Sequence, residues 1–294
     1  MAVILVTGAS GQLGSEIKAA SGHYSGYEFI FTDADNLDIT DSISVYDFVV
    51  KNQPEWIINC AAYNFVDKAE TDSENAFRIN ATAVKNLAES IKGTETRLIH
   101  VSTDYVFDGS SNTPYNENSA VNPQSAYGRS KLEGERFALL HNGTMVIRTS
   151  WLYSSFGNNF VKTMLRLAKE KESVNVVFDQ AGTPTYAADL AEAILFIVSG
   201  VIRNQIAFVA GTYHYSNEGV CSWYDFATEI FLDAGLECKV NPILSKDFSS
   251  TVKRPSYSVL DKSKIKEDYG LEIPHWRKSL LRCLEIMFKN DYLK

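Results

Sequence analysis

The sequence predicts an α/β fold, a doubly wound parallel sheet with a smaller C-terminal lobe. Short apolar, β-rich runs alternate with helical stretches as far as Ser150, a pattern typical of parallel strands joined by helices. A glycine-rich loop directly follows the first of these runs. After Trp151 the alternation loosens into aromatic and polar segments. We therefore predict a first domain over residues 1–150, rejoined by about residues 174–210, and a lobe formed mostly by residues 151–294.

Composition sets limits on the class of protein. The 294 residues carry a formal net charge of −8, which makes a broad nucleic-acid surface unexpected. The four cysteines are scattered without metal-ligand spacing and are expected to be reduced thiols. We see no signal peptide at the N-terminus and no apolar run near the ~20 residues that cross a bilayer. We therefore expect a cytoplasmic protein that does not contact membranes.

The first strand and its loop predict a dinucleotide site. The apolar run Ala2–Thr7 suits a buried parallel strand, and a helix follows the loop. Between them, Gly8, Gly11 and Gly14 form a GxxGxxG variant of the Rossmann fingerprint. Glycines permit a tight turn and let a pyrophosphate approach the backbone N–H groups at a helix N-terminus. We therefore expect the first domain to be a Rossmann-type dinucleotide-binding domain.

The second strand, over residues 28–32, predicts which dinucleotide binds. It ends at Asp33, where a Rossmann protein binds the adenosine ribose hydroxyls. No arginine follows within residues 34–38 to meet a 2′-phosphate, so the pattern leans towards NAD(H) over NADP(H). The alternative is that Asp33 is an ordinary loop residue that does not bind the ribose.

The following elements continue the alternation. Asp41 is expected to open a helix, and a helix is expected over residues 74–91. The strand at residues 97–103 delivers Thr103 and Asp104 to the carboxyl edge of the sheet, where open α/β sheets bind ligands. Further strands are predicted at residues 54–62, 145–150 and 174–177. Further helices are predicted at residues 158–171 and 189–199.

One stretch carries an acid–base pair. Ser125 is a plausible N-cap, so Tyr127 and Lys131 fall on the first turns of one helix, on the same face. An ammonium beside a phenol lowers a pKa that ordinarily lies near about 10. A tyrosine tuned in this way exchanges a proton with a substrate oxygen near neutral pH. The alternative is a solvated pair on a helix surface.

These motifs together resemble the extended short-chain dehydrogenase/reductases, in particular members that reduce the 4-keto group of a nucleotide sugar. Thr103 lies 24 positions before Tyr127, as in that family. The resemblance covers nearly the whole chain in order, through residues 8–14, 61–70, 102–109, 127–135, 148–153, 179–185 and 254–261.

The resemblance implies a role for each catalytic position. Thr103 would bind the substrate carbonyl, Tyr127 would protonate its oxygen, and Lys131 would bind the nicotinamide ribose and lower the tyrosine pKa. Asp104 and Trp151 would line the sugar site. Arg254 would meet the substrate phosphates, with a surface ion pair as its alternative. Dinucleotide contacts are implied at Gln12, Leu13, Asp38, Ile39, Ala62, Tyr63 and Asn64.

The same resemblance implies NADH or NADPH as cofactor and dTDP-4-dehydro-6-deoxy-L-mannose as substrate. Related dehydratases carry an acid directly after the Thr-Asp pair, where this chain has Tyr105, so reduction fits better than dehydration. Some members form a magnesium-linked dimer through glutamates. Glu16 matches one of these glutamates, but Asp189 replaces another and residues 289–294 offer none, so we expect no bound metal. A homodimer stays open, as do a non-catalytic regulatory subunit of a methionine adenosyltransferase-like complex and a reductase of another nucleotide sugar.

Overall fold

The computed structural model describes residues 1–249 and 252–290. Its centre is a six-stranded sheet in the order β10-β5-β4-β3-β1-β2, and every pairing in this sheet is parallel. The prediction of a doubly wound parallel sheet is confirmed. Strand order reverses between β1 and β3, so the carboxyl ends of these strands form the crevice in which such sheets bind ligands.

The described residues form twelve strands and ten helices. The strands are β1 (Ala2–Thr7), β2 (Tyr27–Thr32), β3 (Trp56–Asn59), β4 (Arg97–Thr103), β5 (Thr144–Thr149), β6 (Leu152–Tyr153), β7 (Ser173–Val177), β8 (Ala181–Gly182), β9 (Thr185–Tyr186), β10 (Gly211–His214), β11 (Cys221–Ser222) and β12 (Lys239–Ile243). The helices are α1 (Gln12–Ser21), α2 (Ser42–Asn52), α3 (Ser73–Phe77), α4 (Ala83–Ser90), α5 (Ala126–Ala138), α6 (Phe160–Glu170), α7 (Ala187–Ile202), α8 (Trp223–Asp233), α9 (Ser263–Tyr269) and α10 (Trp276–Lys289).

Helices cover both faces of the main sheet. On one face α1 and α7 pack around Ile17, Ile58 and Ile194, which are fully buried. On the other face α2 and α4 pack around Val45 and Leu87, also fully buried. A sheet covered on both sides needs strands that are apolar throughout, which explains the continuous apolar runs in the sequence. No helix of the described ranges is long and apolar enough to cross a membrane.

The C-terminal lobe has a core of its own. Fully buried Phe226 and Leu284 lie at its centre, on α8 and α10. The strand predicted at residues 174–177 forms as β7 but pairs with β12, outside the main sheet. Its exposure alternates, with Val174 and Val176 facing the lobe core, because only one side of this small sheet is covered. The chain therefore returns to the main sheet through α7 and β10, later than the predicted residue 174.

The helix predicted over residues 74–91 is interrupted. A π-helical turn, Arg78–Thr82, separates α3 from α4 and contains the buried Asn80. Asn80 Oδ1 accepts a hydrogen bond from Tyr63 N at 2.8 Å. Asn80 Nδ2 donates to Tyr63 O at 3.1 Å and to Ser130 Oγ at 3.0 Å. π-Helical turns occur often at functional sites. Here the turn fixes the loop after β3 against α5.

Candidate active site

The glycine loop brings two backbone segments into contact. Gly8 has φ +67°, and a Cβ at this residue would lie 2.6 Å from the Cα of Ala61. Both the left-handed backbone and the missing side chain are therefore required here. The helix α1 begins directly after Gly11, and no side chain caps the free N–H groups of its first turn. This arrangement fits the pyrophosphate of a dinucleotide, in agreement with the sequence.

A cleft of about 380 Å³ opens beside this loop, over the carboxyl ends of β1, β2 and β3. Its walls include seven of the residues predicted to bind a dinucleotide, namely Gly8, Gly11, Asp33, Asp38, Ile39, Ala62 and Asn64.

Other predicted cofactor residues lie outside the walls of this cleft. Leu13 packs its side chain into the core, and Tyr63 turns its hydroxyl to Asp72 at 2.9 Å. Gln12 accepts a hydrogen bond from Asn159 at 3.0 Å. Gly14 packs closely against Gly8 and Ala9. Sequence spacing places such residues near the loop but does not fix the direction of each side chain.

Asp33 makes a contact that the sequence did not predict. Its carboxylate accepts hydrogen bonds from Ser10 N at 3.0 and 3.1 Å and from Ser10 Oγ at 2.5 Å. The carboxylate therefore holds the glycine loop and lines the cleft at the same time. A cofactor hydroxyl would have to share it with Ser10.

The predicted acid–base residues meet at the end of β4. Tyr127 lies close enough to Thr103 for the threonine to lower its pKa, and Thr103 Oγ1 donates to Asp104 Oδ1 at 3.0 Å. The N-cap at Ser125 forms as predicted, since its Oγ accepts from Gly128 N at 3.1 Å. Burial raises the pKa of Asp104 to about 6, and its Oδ2 has no hydrogen-bond partner among the described residues. Burial also raises the pKa of Tyr127 to about 12.

Lys131 lies one turn after Tyr127 but directs its charge elsewhere. Its Nζ donates to Val101 O at 2.6 Å, and the side chain is almost completely buried. Burial lowers the Lys131 pKa to about 8. Burial of the phenol is the largest influence on the Tyr127 pKa, so the net shift is opposite to the decrease predicted from pairing with Lys131, and the contribution of Lys131 itself stays a prediction. Cys60, in the wall of the cleft, lies close enough to Lys131 for their charges to interact.

Trp151 occupies a strained position next to these residues. Its φ is +47°, which is rare for a bulky side chain, and its ring stacks on Trp223 with centroids 3.6 Å apart. A Cβ on Gly182 would lie 2.6 Å from the Trp151 ring and 2.7 Å from Ser258 Oγ. Ser258 in turn interacts with Asp104. Backbone strain kept in this way is common at ligand-binding positions.

Arg254 forms the ion pair that was its alternative role. Its guanidinium donates to Asp67 Oδ2 at 3.0 Å, and both side chains are partly exposed. Arg254 also lines a separate cleft of about 500 Å³ with Lys246, Lys253 and Phe248. Its charge lowers the Tyr105 pKa against the larger effect of burial, so Arg254 lies near the catalytic edge.

A polar network under the site was missed from the sequence. Thr7, Asn59 and His100 lie in register on β1, β3 and β4 and are joined by hydrogen bonds of 2.7 and 3.1 Å. Glu135 and Arg148 form a separate buried ion pair nearby, on α5 and β5. The spacing of Tyr127, Lys131 and Glu135 at i, i+4 and i+8 is the signal that could have identified Glu135.

The two residues compared with the glutamates of magnesium-linked dimers have partners of their own. Asp189 accepts hydrogen bonds from Asn217 Nδ2 at 2.6 Å and Ser279 Oγ at 2.5 Å, and it pairs with Arg282. Glu16 accepts from Ser154 Oγ at 2.6 Å. Within the described ranges, no three His, Cys, Asp or Glu side chains gather as metal ligands.

Comparison with known proteins points to one kind of enzyme. Residues 1–288 match the model of the family described as RmlD substrate binding domain. Over 287 residues the chain is 40% identical to a dTDP-4-dehydrorhamnose reductase from Aggregatibacter actinomycetemcomitans, which covers 95% of this chain and 97% of the relative.

Two solved structures agree with this. A dTDP-4-dehydrorhamnose reductase from Clostridium acetobutylicum superimposes with a TM-score of 0.91 at 42% identity, covering 97% of this chain and 99% of the other. The enzyme of the same name from Bacillus anthracis, solved in complex with NADP, gives a TM-score of 0.91 at 39% identity, covering 97% and 100%. Similarity at this level extends through both the main sheet and the C-terminal lobe.

Proposed function

The chain belongs to the RmlD substrate binding domain family, and we propose that it reduces the 4-keto group of dTDP-4-dehydro-6-deoxy-L-mannose with NADH or NADPH to give dTDP-L-rhamnose. One observation carries this function. Thr103 and Tyr127 lie side by side at the carboxyl edge of a parallel sheet of Rossmann type, in a chain that resembles named dTDP-4-dehydrorhamnose reductases over almost its whole length.

Each catalytic side chain has a chemical role in this proposal. A bound reduced nicotinamide supplies the hydride. Thr103 holds the substrate carbonyl oxygen, and Tyr127 gives that oxygen its phenolic proton. Because burial raises the Tyr127 pKa to about 12, the phenol keeps its proton at neutral pH, which is the state that reduction requires. The Lys131 ammonium then stabilises the phenolate, since a charge acts strongly in a buried site.

The substrate would occupy the side of the site that faces the C-terminal lobe. Asp104 and Trp151 border the sugar, since Ser258 and Gly182 connect them. The Arg254 guanidinium meets the dTDP phosphates, and to do so it exchanges or shares its contact with Asp67. The lobe would thus supply substrate contacts and the main sheet would supply the dinucleotide cleft, which is the domain division proposed from the sequence.

Incubation of the protein with the dTDP-linked 4-keto sugar and either cofactor tests this function. The absorbance of the reduced nicotinamide should fall as it is oxidised, and dTDP-L-rhamnose should accumulate. No loss of absorbance with NADH or with NADPH would overturn the proposal. A competition among several nucleotide-linked 4-keto sugars then identifies the preferred sugar and base.

A non-catalytic regulatory subunit is not favoured. Such a subunit has no need for Thr103, Tyr127 and Lys131 assembled at one edge. Inactivity on every nucleotide sugar, together with recovery of a methionine adenosyltransferase partner, would reverse this ranking. We further propose a cytoplasmic enzyme, and sedimentation of the purified chain would decide between a monomer and a homodimer.

A further inference from the structure

Glu135 is a buried carboxylate that the proposed reaction does not use. It lies on α5, one turn after Lys131 and two turns after Tyr127, and only 2% of its surface is exposed. Side chains four residues apart share one face of a helix. Glu135 therefore points into the sheet below the two catalytic side chains. A carboxylate so deeply buried requires partners.

Those partners come from the two strands beneath the site. Glu135 accepts from Ser102 Oγ at 2.5 Å, and from Arg148 Nε at 2.9 Å and an Arg148 terminal nitrogen at 2.7 Å. Ser102 and Arg148 are register partners on β4 and β5. Ser102 directly precedes Thr103, the proposed carbonyl-binding residue. One carboxylate thus joins α5 to the ends of both strands.

The same carboxylate also acts on Lys131. Burial lowers the Lys131 pKa to about 8, and Glu135 is the largest influence opposing this decrease, followed by Cys60. The other titratable groups around it are the Tyr127 phenol on α5, His100 on β4, whose pKa burial and Lys131 hold well below its ordinary value, and Arg148 on β5. A neutral histidine and a protonated thiol contribute no negative charge, so Glu135 is the anion that faces Lys131.

We propose that Glu135 is a positioning residue for the proposed reaction, which keeps Lys131 in its ammonium form and fixes Ser102, and through it Thr103, beside the substrate carbonyl. It touches neither substrate nor cofactor. The inference rests on the proposed reductase function.

The dependence of turnover on pH tests this inference. Wild-type kcat should fall as pH rises through about 8, because the Lys131 ammonium is then lost. Removing a neighbouring negative charge lowers the pKa of a lysine, so Glu135→Gln should move this alkaline limb to lower pH. If the alkaline limb moves by about one pH unit, kcat of Glu135→Gln should be about tenfold below that of wild type at a pH above the Lys131 pKa of both proteins. This decrease is additional to any change in kcat at low pH.

Two further variants separate charge from folding. Glu133→Gln, which removes a partly exposed partner of Arg136 from the same helix, should leave the pH profile unchanged. The double variant Glu135→Gln, Arg148→Met removes both members of the buried pair, which a fold tolerates better than the loss of one. Because it also removes the positive charge of Arg148, its alkaline limb should be displaced less than that of Glu135→Gln.

Three results would contradict the inference. They are a uniform decrease of kcat in Glu135→Gln with an unchanged alkaline limb, a double variant displaced further than Glu135→Gln, and a wild-type enzyme with no alkaline limb near pH about 8. A wild-type protein that reduces no nucleotide sugar would instead overturn the function, and this inference with it.

Discussion

The two halves of the sheet's carboxyl edge are built in opposite ways. At β1 and β3, Gly8 approaches Ala61 so closely that a single Cβ would not fit between them. At β4 and β5, by contrast, the buried volume is occupied by the ionisable side chains of Lys131, Glu135 and Arg148. The shape of the first half is set by close backbone approach, with charged side chains such as Asp33 and Arg78 only at its walls, whereas the second half is built from buried charged groups.

This difference predicts how each half fails. A site built on close backbone approach is damaged by added atoms, because its shape is the binding determinant. A site built on buried ionisable groups is damaged by removal of an atom or a charge, because each group depends on partners that water cannot replace. Mutations of similar size should therefore change cofactor binding in one half and turnover in the other.

The largest effect is expected from Tyr127→Phe, which removes one oxygen from the catalytic half. Turnover should fall by about 10²–10⁴, the usual worth of general acid catalysis, while the cofactor dissociation constant stays unchanged. Steady-state kinetics and a fluorescence titration with NADPH measure the two quantities. Tyr153→Phe is the matched control, since the Tyr153 hydroxyl is buried without a hydrogen-bond partner among the described residues. Near wild-type turnover of Tyr127→Phe would mean that another group is the acid.

Gly8→Ala adds one carbon to the binding half. The left-handed φ of +67° and the 2.6 Å approach to Ala61 both oppose a side chain, and such strain costs about 1–3 kcal/mol. Cofactor affinity should weaken by about 10–100-fold, with a smaller change in kcat at saturating cofactor. Gly22→Ala is the control, because an added Cβ there meets no atom within 4 Å. Unchanged affinity would show that the loop can move away from β3.

The sequence predicted the backbone shape of the binding half but not the direction of every side chain there, and it predicted the catalytic half in part. Spacing between Gly8 and Gly14 encodes a backbone shape, which is local, and the strand-tip positions of Asp33 and Thr103 follow from apolar periodicity. The direction of the Lys131 ammonium is not local. It depends on desolvation and on Val101 O, a group brought there by packing of α5 on β4.

The fold shows the same limit. Five of the six parallel strands, β1 to β5, follow from apolar runs, but β10 was not predicted and neither was the place of β7. A short alternating strand pairs with whichever edge buries its apolar face, and for Val174 and Val176 that edge is in the lobe. The ion pair of Arg254 could not be predicted either, because its partner Asp67 lies 187 positions away in the sequence.

Asp33→Asn tests whether the Asp33 carboxylate selects the cofactor. This carboxylate both accepts hydrogen bonds from Ser10 in the glycine loop and lines the cleft. A carboxylate there disfavours a 2′-phosphate by like-charge repulsion, so the neutral variant should raise the NADPH to NADH ratio of kcat/KM by about 5–10-fold. The amide that replaces the carboxylate keeps an oxygen for Ser10 N, so the glycine loop should stay in place. Asp35→Asn removes the same charge from an exposed site in the same loop and should leave the ratio unchanged. An equal ratio in Asp33→Asn and wild type would mean that Asp33 serves only to hold Ser10, and that other groups in the cleft wall, such as Arg78, select the cofactor.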